Sequence, residues 1–235
     1  YLTFRQTLPQ NSDIDIDSDV KEENERIKNM SEQDIVDGNL ILQGISKFYG
    51  NNLAVNQLYL AVEASECFGL LGINGAGKSS TFKMMTGDEI ISLGDAFIRG
   101  YSMKNQLQKV HQLIGYCPQF DALLLDLTGR ETLKIFSLLR GIPRNEIKET
   151  TDKLSLELGF YKHLDKKIKV YSGGNKRKIS TALALIGIPS IIFLDEPTTG
   201  MDAGAKRKLW NIINKTRNSG RSVIMTSHSM EECEA

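Results

Sequence analysis

The sequence predicts an α/β domain in which a mainly parallel sheet surrounds a phosphate-binding loop, and three observations predict it. A short apolar run, Cys67 to Leu71, leads directly into a glycine-rich loop and then a helical stretch. A second apolar run, Ile191 to Leu194, closes on two adjacent carboxylates. The 235 residues are 40% hydrophobic and 25% charged, an ordinary globular composition that excludes wholesale disorder, collagen and coiled coils and leaves enough chain for a sizeable core.

From the N-terminus, Tyr1 is not an initiator methionine, and no charged segment followed by an apolar run reads as a signal peptide. The last residues, Glu231 to Ala235, carry no helix stop signal, so both ends read as cut from a longer polypeptide. Net charge is zero, 29 basic against 29 acidic residues, but it is unevenly spread. Residues 11 to 37 hold ten acidic and three basic side chains, whereas residues 38 to 235 carry 25 basic and 19 acidic. Asp13, Asp15, Asp17 and Asp19 alternate through a stretch with too few large apolar residues to offset its ordering entropy. Residues 1–37 are therefore expected to be an acidic connector, disordered except for a short surface helix over Glu22 to Met30. The mild positive charge of the remainder, without an aromatic-plus-basic stripe, argues against nucleic acid as a partner.

No apolar stretch reaches the roughly 18 to 20 residues that span a bilayer. The longest, Ala182 to Leu194, is broken by Gly187, Pro189 and Ser190, and the chain reads as a soluble domain. Cys67, Cys117 and Cys233 are odd in number and lack metal or redox spacing, as expected of reduced thiols in a cytosolic setting.

Gly72-Ile73-Asn74-Gly75-Ala76-Gly77-Lys78-Ser79 matches G-x-x-x-x-G-K-[ST] in full, between a strand and a helix. Glycines let successive backbone N–H groups converge on phosphate oxygens, and the following helix, which opens at Lys78-Ser79-Ser80, points its positive end at the same anion. Lys78 is expected to reach the β- and γ-phosphates, and the Ser79 hydroxyl to ligate Mg²⁺. Asp195 and Glu196 end the second run at the ligand side of the sheet. Asp195 is placed to hold Mg²⁺ through its water shell, and Glu196 to polarise a water as general base. Asn214-Lys215-Thr216-Arg217 ends in the wrong residue for a guanine reader, which disfavours a GTPase. Tyr171-Ser172-Gly173-Gly174-Asn175-Lys176-Arg177-Lys178 opens another helix, with Ser172 as N-cap and Ile179, Ala182, Leu183 and Ile186 along one apolar face. Such a start is either a plain helix cap or a second phosphate site.

Ser172-Gly173-Gly174, shortly before Ile191 to Pro197 and with the phosphate loop about a hundred residues upstream, resembles the nucleotide-binding domain of an ABC transporter. Gln119, in Tyr116-Cys117-Pro118-Gln119, resembles the Q-loop glutamine. Thr199-Gly200-Met201-Asp202 is similar to the D-loop, His228 to the switch histidine, and Tyr49 to the aromatic that stacks on adenine. Phe48 is the competing stacker if the strand register slips. Glu66 to Gly72, Gly115 to Ala122 and Tyr171 to Lys178 are similar to the A subfamily of lipid-linked full transporters, and Phe120-Asp121 with Tyr171 and Asn175 to its second nucleotide-binding half.

This resemblance implies a P-loop ATPase core over about 38–119 and 188–235, with an antiparallel β part near the N-terminus and an inserted helical subdomain over about 120–187. It implies ATP and Mg²⁺ as ligands. Tyr49, Gly72, Asn74, Gly75, Ala76, Gly77, Lys78, Ser79, Ser80, Ser172, Gly173, Gly174 and Asp202 would bind nucleotide. Ser79, Gln119 and Asp195 would hold the metal, with Glu196, Gln119 and His228 in catalysis. His228 follows a β-like run, Ser222 to Thr226, and is expected to hydrogen-bond the γ-phosphate. Expected partners are the other nucleotide-binding half and the transmembrane segments of the same transporter, at the cytoplasmic face of a membrane. Tyr171, Asn175 and Ala203 depart from the family's usual leucine, glutamine and proline. Two other readings are a hydrolysis-poor regulatory half and a soluble ABC ATPase. Intact Lys78, Asp195, Glu196 and His228 argue against the first. The subfamily strings, and the lack of a long coiled-coil insertion, argue against the second.

Overall fold

A computed structural model describes residues 17–73, 75–120 and 122–227. Asn74 and His228 lie outside the described residues. In chain order the elements are α1 (Ser18–Lys28), α2 (Glu32–Asp37), β1 (Leu40–Tyr49), β2 (Asn52–Val62), β3 (Cys67–Leu70), α3 (Lys78–Thr86), β4 (Leu93–Ile98), β5 (Tyr101–Ser102), α4 (Leu107–Leu113), β6 (Ile114–Cys117), α5 (Gly129–Leu139), α6 (Ile147–Glu157), α7 (Gly173–Leu185), β7 (Ile191–Asp195), α8 (Ala203–Asn218) and β8 (Ser222–Thr226). They divide into two compact units, Tyr1–Glu63 with Asn74–Val110, and Ala64–Ile73 with His111–Ala235. This division separates the antiparallel strands from the rest, whereas the sequence reading divided the chain at about 119 and 187.

The first unit is built on an antiparallel sheet of order β2-β1-β4-β5. Leu40, Ile41, Leu42 and Ile45 on β1 are buried, and the β1–β2 register shifts between Leu42 and Ile45. Gly44 sits in that shift with φ 60°, and β4 approaches so closely that a Cβ at Gly94 would lie 2.3 Å from the Gly44 carbonyl. Only glycine fits such a crossing of backbones. Phe82, Met84 and Met85 bury the inner face of α3.

Residues 18–37, expected to be mostly disordered, are instead largely helical. Ile27 is fully buried, and α1 packs on β1 and β2, so one well-placed apolar side chain suffices where a sheet receives it. A capping box starts α2, with the Ser31 hydroxyl accepting from the Asp34 N–H and the Asp34 carboxylate from the Ser31 N–H.

The second unit holds a parallel sheet of order β3-β8-β7-β6. Every residue of β7 and β8 is buried, as parallel strands covered on both faces require. Ile192, Leu194, Val223 and Met225 share a core with Ala205, Leu209 and Ile213 of α8. On the other side α7 lies so close to β6 that a Cβ at Gly115 would meet the Ala184 carbonyl at 1.9 Å. A second cluster, with Leu133, Leu158, Phe160, Leu164, Ile179 and Ile212, joins α5, α6 and α7. Arg130 ties this helical part together by donating to Asp165 at 2.6 Å and Asp152 at 2.7 Å. No described helix is long and apolar enough to cross a membrane.

Candidate functional site

The first unit carries the loop half of the predicted site. Gly75 and Gly77 both have φ 86°, the left-handed region that non-glycine residues avoid. A Cβ at Gly77 would also lie 2.7 Å from the Ala54 carbonyl. Gly77 is the N-cap of α3 and supplies no capping side chain, and the positive end of that helix suits an anion. Lys78, Ser79 and Ser80 form that first turn, Ala76 and Ser79 are exposed, and Lys78 is half-buried. Tyr49 ends β1 and is 42% exposed, whereas Phe48 is half-buried. Lys47 Nζ lies 5.0 Å from the Tyr49 ring centroid and is itself held by Glu89 at 2.7 Å and the Ile90 carbonyl at 2.9 Å. Lys47 was not legible as a site residue because its partners lie more than forty positions away.

The second unit carries the carboxylates. Gly72 follows β3. Asp195 ends β7 and is buried, with the Thr226 hydroxyl donating to its Oδ1 at 2.6 Å. The same hydroxyl accepts the Glu196 N–H at 2.9 Å. Glu196 has φ 48°, a left-handed conformation costing a non-glycine residue about 1–3 kcal/mol, and such strain concentrates at functional sites. Its carboxylate accepts from Gln119 Nε2 at 3.1 Å and from the Thr199 hydroxyl at 3.4 Å. Gln119 and Glu196, 77 residues apart, are thus brought together.

The Ser172 hydroxyl caps α7 by accepting the Asn175 N–H at 3.3 Å. Ser172 and Gly173 are exposed, a Cβ at Gly173 would meet nothing within 4 Å among the described residues, and one at Gly174 would approach the Gly200 carbonyl at 3.1 Å. Asp202 is the N-cap of α8, accepting the Ala205 N–H at 2.9 Å, and this bond holds its carboxyl below the usual range. Tyr171, in place of the usual leucine, is buried and donates its hydroxyl to the His163 carbonyl at 2.6 Å. Burial pushes its phenol up to about 12. Gly129 makes room for it, since a Cβ there would lie 2.4 Å from the Tyr171 oxygen.

Ser79, Gln119 and Asp195 offer hard oxygen donors, the chemistry that suits Mg²⁺. No group of three His, Cys, Asp or Glu gathers among the described residues. Mg²⁺ needs none, since it keeps waters and substrate phosphates as most of its ligands. Each of these donors is thus of a kind that suits the ion.

Comparison with known proteins bears on the whole arrangement. A family model described as "ABC transporter" matches residues 55–199. A model described as an AAA domain, putative AbiEii toxin of a type IV TA system, also matches residues 167–234. The chain is 53% identical over 222 residues to the mouse "Phospholipid-transporting ATPase ABCA3", covering 93% of this chain and 13% of that protein. It is 50% identical over 228 residues to the human "Retinal-specific phospholipid-transporting ATPase ABCA4", covering 94% of this chain and 10% of that protein. A solved structure described as "Structure of ATP binding subunit of ABC transporter" superposes with a TM-score of 0.78 at 25% identity, over 83% of this chain and 81% of that one.

Proposed function

Since this chain belongs to the ABC transporter family, as a nucleotide-binding domain of its A subfamily, we propose that it binds Mg-ATP and hydrolyses it to drive movement of lipid across a membrane. The observation that carries the reading is Glu196, one residue beyond Asp195, held in a strained backbone conformation with its carboxylate against Gln119. A group so placed takes a proton from water as the water oxygen attacks the γ-phosphorus. The bond to the β–γ bridging oxygen breaks and ADP leaves with that oxygen's electrons.

Ser79, Gln119 and Asp195 would hold Mg²⁺, which would supply charge neutralisation at the phosphoryl oxygens. The loop N–H groups of Gly72 to Ser80, with Lys78, cradle the phosphates, and adenine stacks on the Tyr49 face opposite Lys47. Thr226 keeps Asp195 and the Glu196 backbone in register. By the resemblance, His228 would sense the γ-phosphate and report its loss.

Ser172, Gly173 and Gly174 close over ATP bound to another nucleotide-binding half, with Asp202 near that junction. The open space around Gly173 supports this reading, because no described residue would crowd a larger side chain there. Phe120, Tyr171 and Asn175 favour the second half of a full transporter. The membrane is reached through transmembrane segments of the parent chain, and the domain works at the cytoplasmic face. Lipid as cargo rests on the relatives named phospholipid-transporting ATPases.

Measured with purified protein, wild type should turn over Mg-ATP, and Lys78→Ala should weaken ATP binding. Glu196→Gln should keep binding while turnover falls by roughly 10² to 10⁴-fold, the usual contribution of a general base. Unchanged turnover in Glu196→Gln would remove Glu196 from that role.

A further inference from the structure

Arg177 lies one turn into α7, five residues beyond the Ser172 cap, and is only 3% exposed. Its guanidinium Nη1 donates to the carbonyl of Pro118 and, at 3.3 Å, to that of Gln119. Its Nη2 donates to the carbonyl of Asp195. The first two carbonyls flank Gln119 on either side. The third belongs to the peptide unit joining Asp195 to Glu196, whose N–H is bound from the opposite side by Thr226. That peptide is therefore clamped at both ends, and the clamp helps hold Glu196 at φ 48°. Arg177 thus grips the backbone beneath both partners of the Gln119–Glu196 hydrogen bond. The planar fork of arginine suits several carbonyls at once, which a single ammonium does not. Five helical residues place Ser172 only about 7.5 Å along the axis from this fork, within one rigid segment.

We propose that Arg177 is a positioning residue that sets Gln119 against Glu196 and links both to the Ser172 turn, so that closure of this turn over nucleotide is felt at the general base. The inference rests on the reading of Glu196 and Gln119 given above and extends it to α7. A rigid helix that binds nucleotide at its tip and orients the base from its second turn couples two steps that would otherwise be independent. Loss of the fork should loosen the pair without disturbing phosphate binding by the Gly72 to Ser80 loop.

The test compares wild type with Arg177→Met, which keeps length but no donors, and Arg177→Lys, which keeps one cationic donor group. In hydrogen–deuterium exchange, the amides of Gln119, Phe120, Glu196 and Thr198 to Gly200 should exchange about 10- to 100-fold faster in Arg177→Met, the scale set by losing bonds to a charged donor. Amides of α5 and β1 should be unchanged, and Arg177→Lys should fall between. In turnover, kcat should drop about 10- to 100-fold while the ATP dissociation constant stays put.

Unchanged exchange at these amides in a folded variant would overturn the proposal. So would a uniform rise in exchange over the whole chain, which marks a merely structural role. If Arg177→Met does not fold, the same two readouts on Arg177→Lys decide the matter. A wild-type chain that binds ATP without turning it over would fail the hydrolysis reading, while exchange would still report on Arg177.

Discussion

Replacing Thr226 by valine removes one hydroxyl from a buried position while keeping the side chain's shape, and that hydroxyl makes two bonds at the heart of the carboxylate site. It donates to Asp195 Oδ1 at 2.6 Å and accepts the Glu196 N–H at 2.9 Å. A hydrogen bond to a charged group contributes about 1.5–3 kcal/mol, and leaving the Glu196 N–H without an acceptor costs about 1–3 kcal/mol. The sum, about 2.5–6 kcal/mol, is a large share of the stability of an ordinary domain. Part of it appears as a lower denaturant midpoint at constant slope. Part appears as lost turnover, about tenfold for each 1.4 kcal/mol spent in misplacing Glu196. Thr226→Ser keeps the hydroxyl and should retain most of both. Urea unfolding and Mg-ATP turnover of the two variants check this. If valine is as stable and as active as threonine, or if serine loses as much as valine, the hydroxyl is not what orders these carboxylates.

Gly129→Ala should destabilise the helical part by about 1–3 kcal/mol, because its Cβ would sit 2.4 Å from the Tyr171 oxygen. Adding Tyr171→Phe should recover much of that loss, and additive effects in a thermal double-mutant cycle would contradict the clash. The hydrogen bond from Arg130 holds the Asp165 carboxyl below its ordinary range. A depressed folded pKa means this stabilisation is complete above the unfolded value of about 3.9 and is lost as pH falls through the folded value. Below about pH 4, wild type should therefore lose stability faster than Asp165→Asn, and parallel curves from pH 7 to 2 would refute the pairing.

What was legible in the sequence is what the chain encodes locally. The glycine loop, the Ser172 cap and the carboxylates at the end of β7 each occupy a few consecutive residues whose chemistry is evident without a partner. The buried faces of β7 and β8 and of α7 follow from apolar spacing, with Ile179, Ala182 and Ile186 all inside. Lys47, Arg177 and Thr226 were not legible as site residues. Their partners lie 43, 59 and 31 positions away, and nothing about a lysine, arginine or threonine alone reveals which carbonyl or carboxylate it meets.

Beyond the short helix expected over Glu22 to Met30, the order in residues 18–37 is not legible for a related reason. The acidic repeat there is what composition shows, while Ile27 is held by strands later in the chain. That β1, β2, β4 and β5 pair among themselves is likewise a topology that residue pattern alone does not state.

The composite site is tested most directly by sedimentation of the Glu196→Gln protein with and without Mg-ATP, alongside a nucleotide-binding titration. An ATP-dependent shift from monomer to dimer, abolished by Ser172→Arg with ATP binding retained, is the predicted result. Saturating ATP that leaves the protein monomeric would assign the closing face to the unlike half, whereas an ATP-dependent dimer indifferent to Ser172→Arg would contradict closure of the Ser172 turn over a second nucleotide.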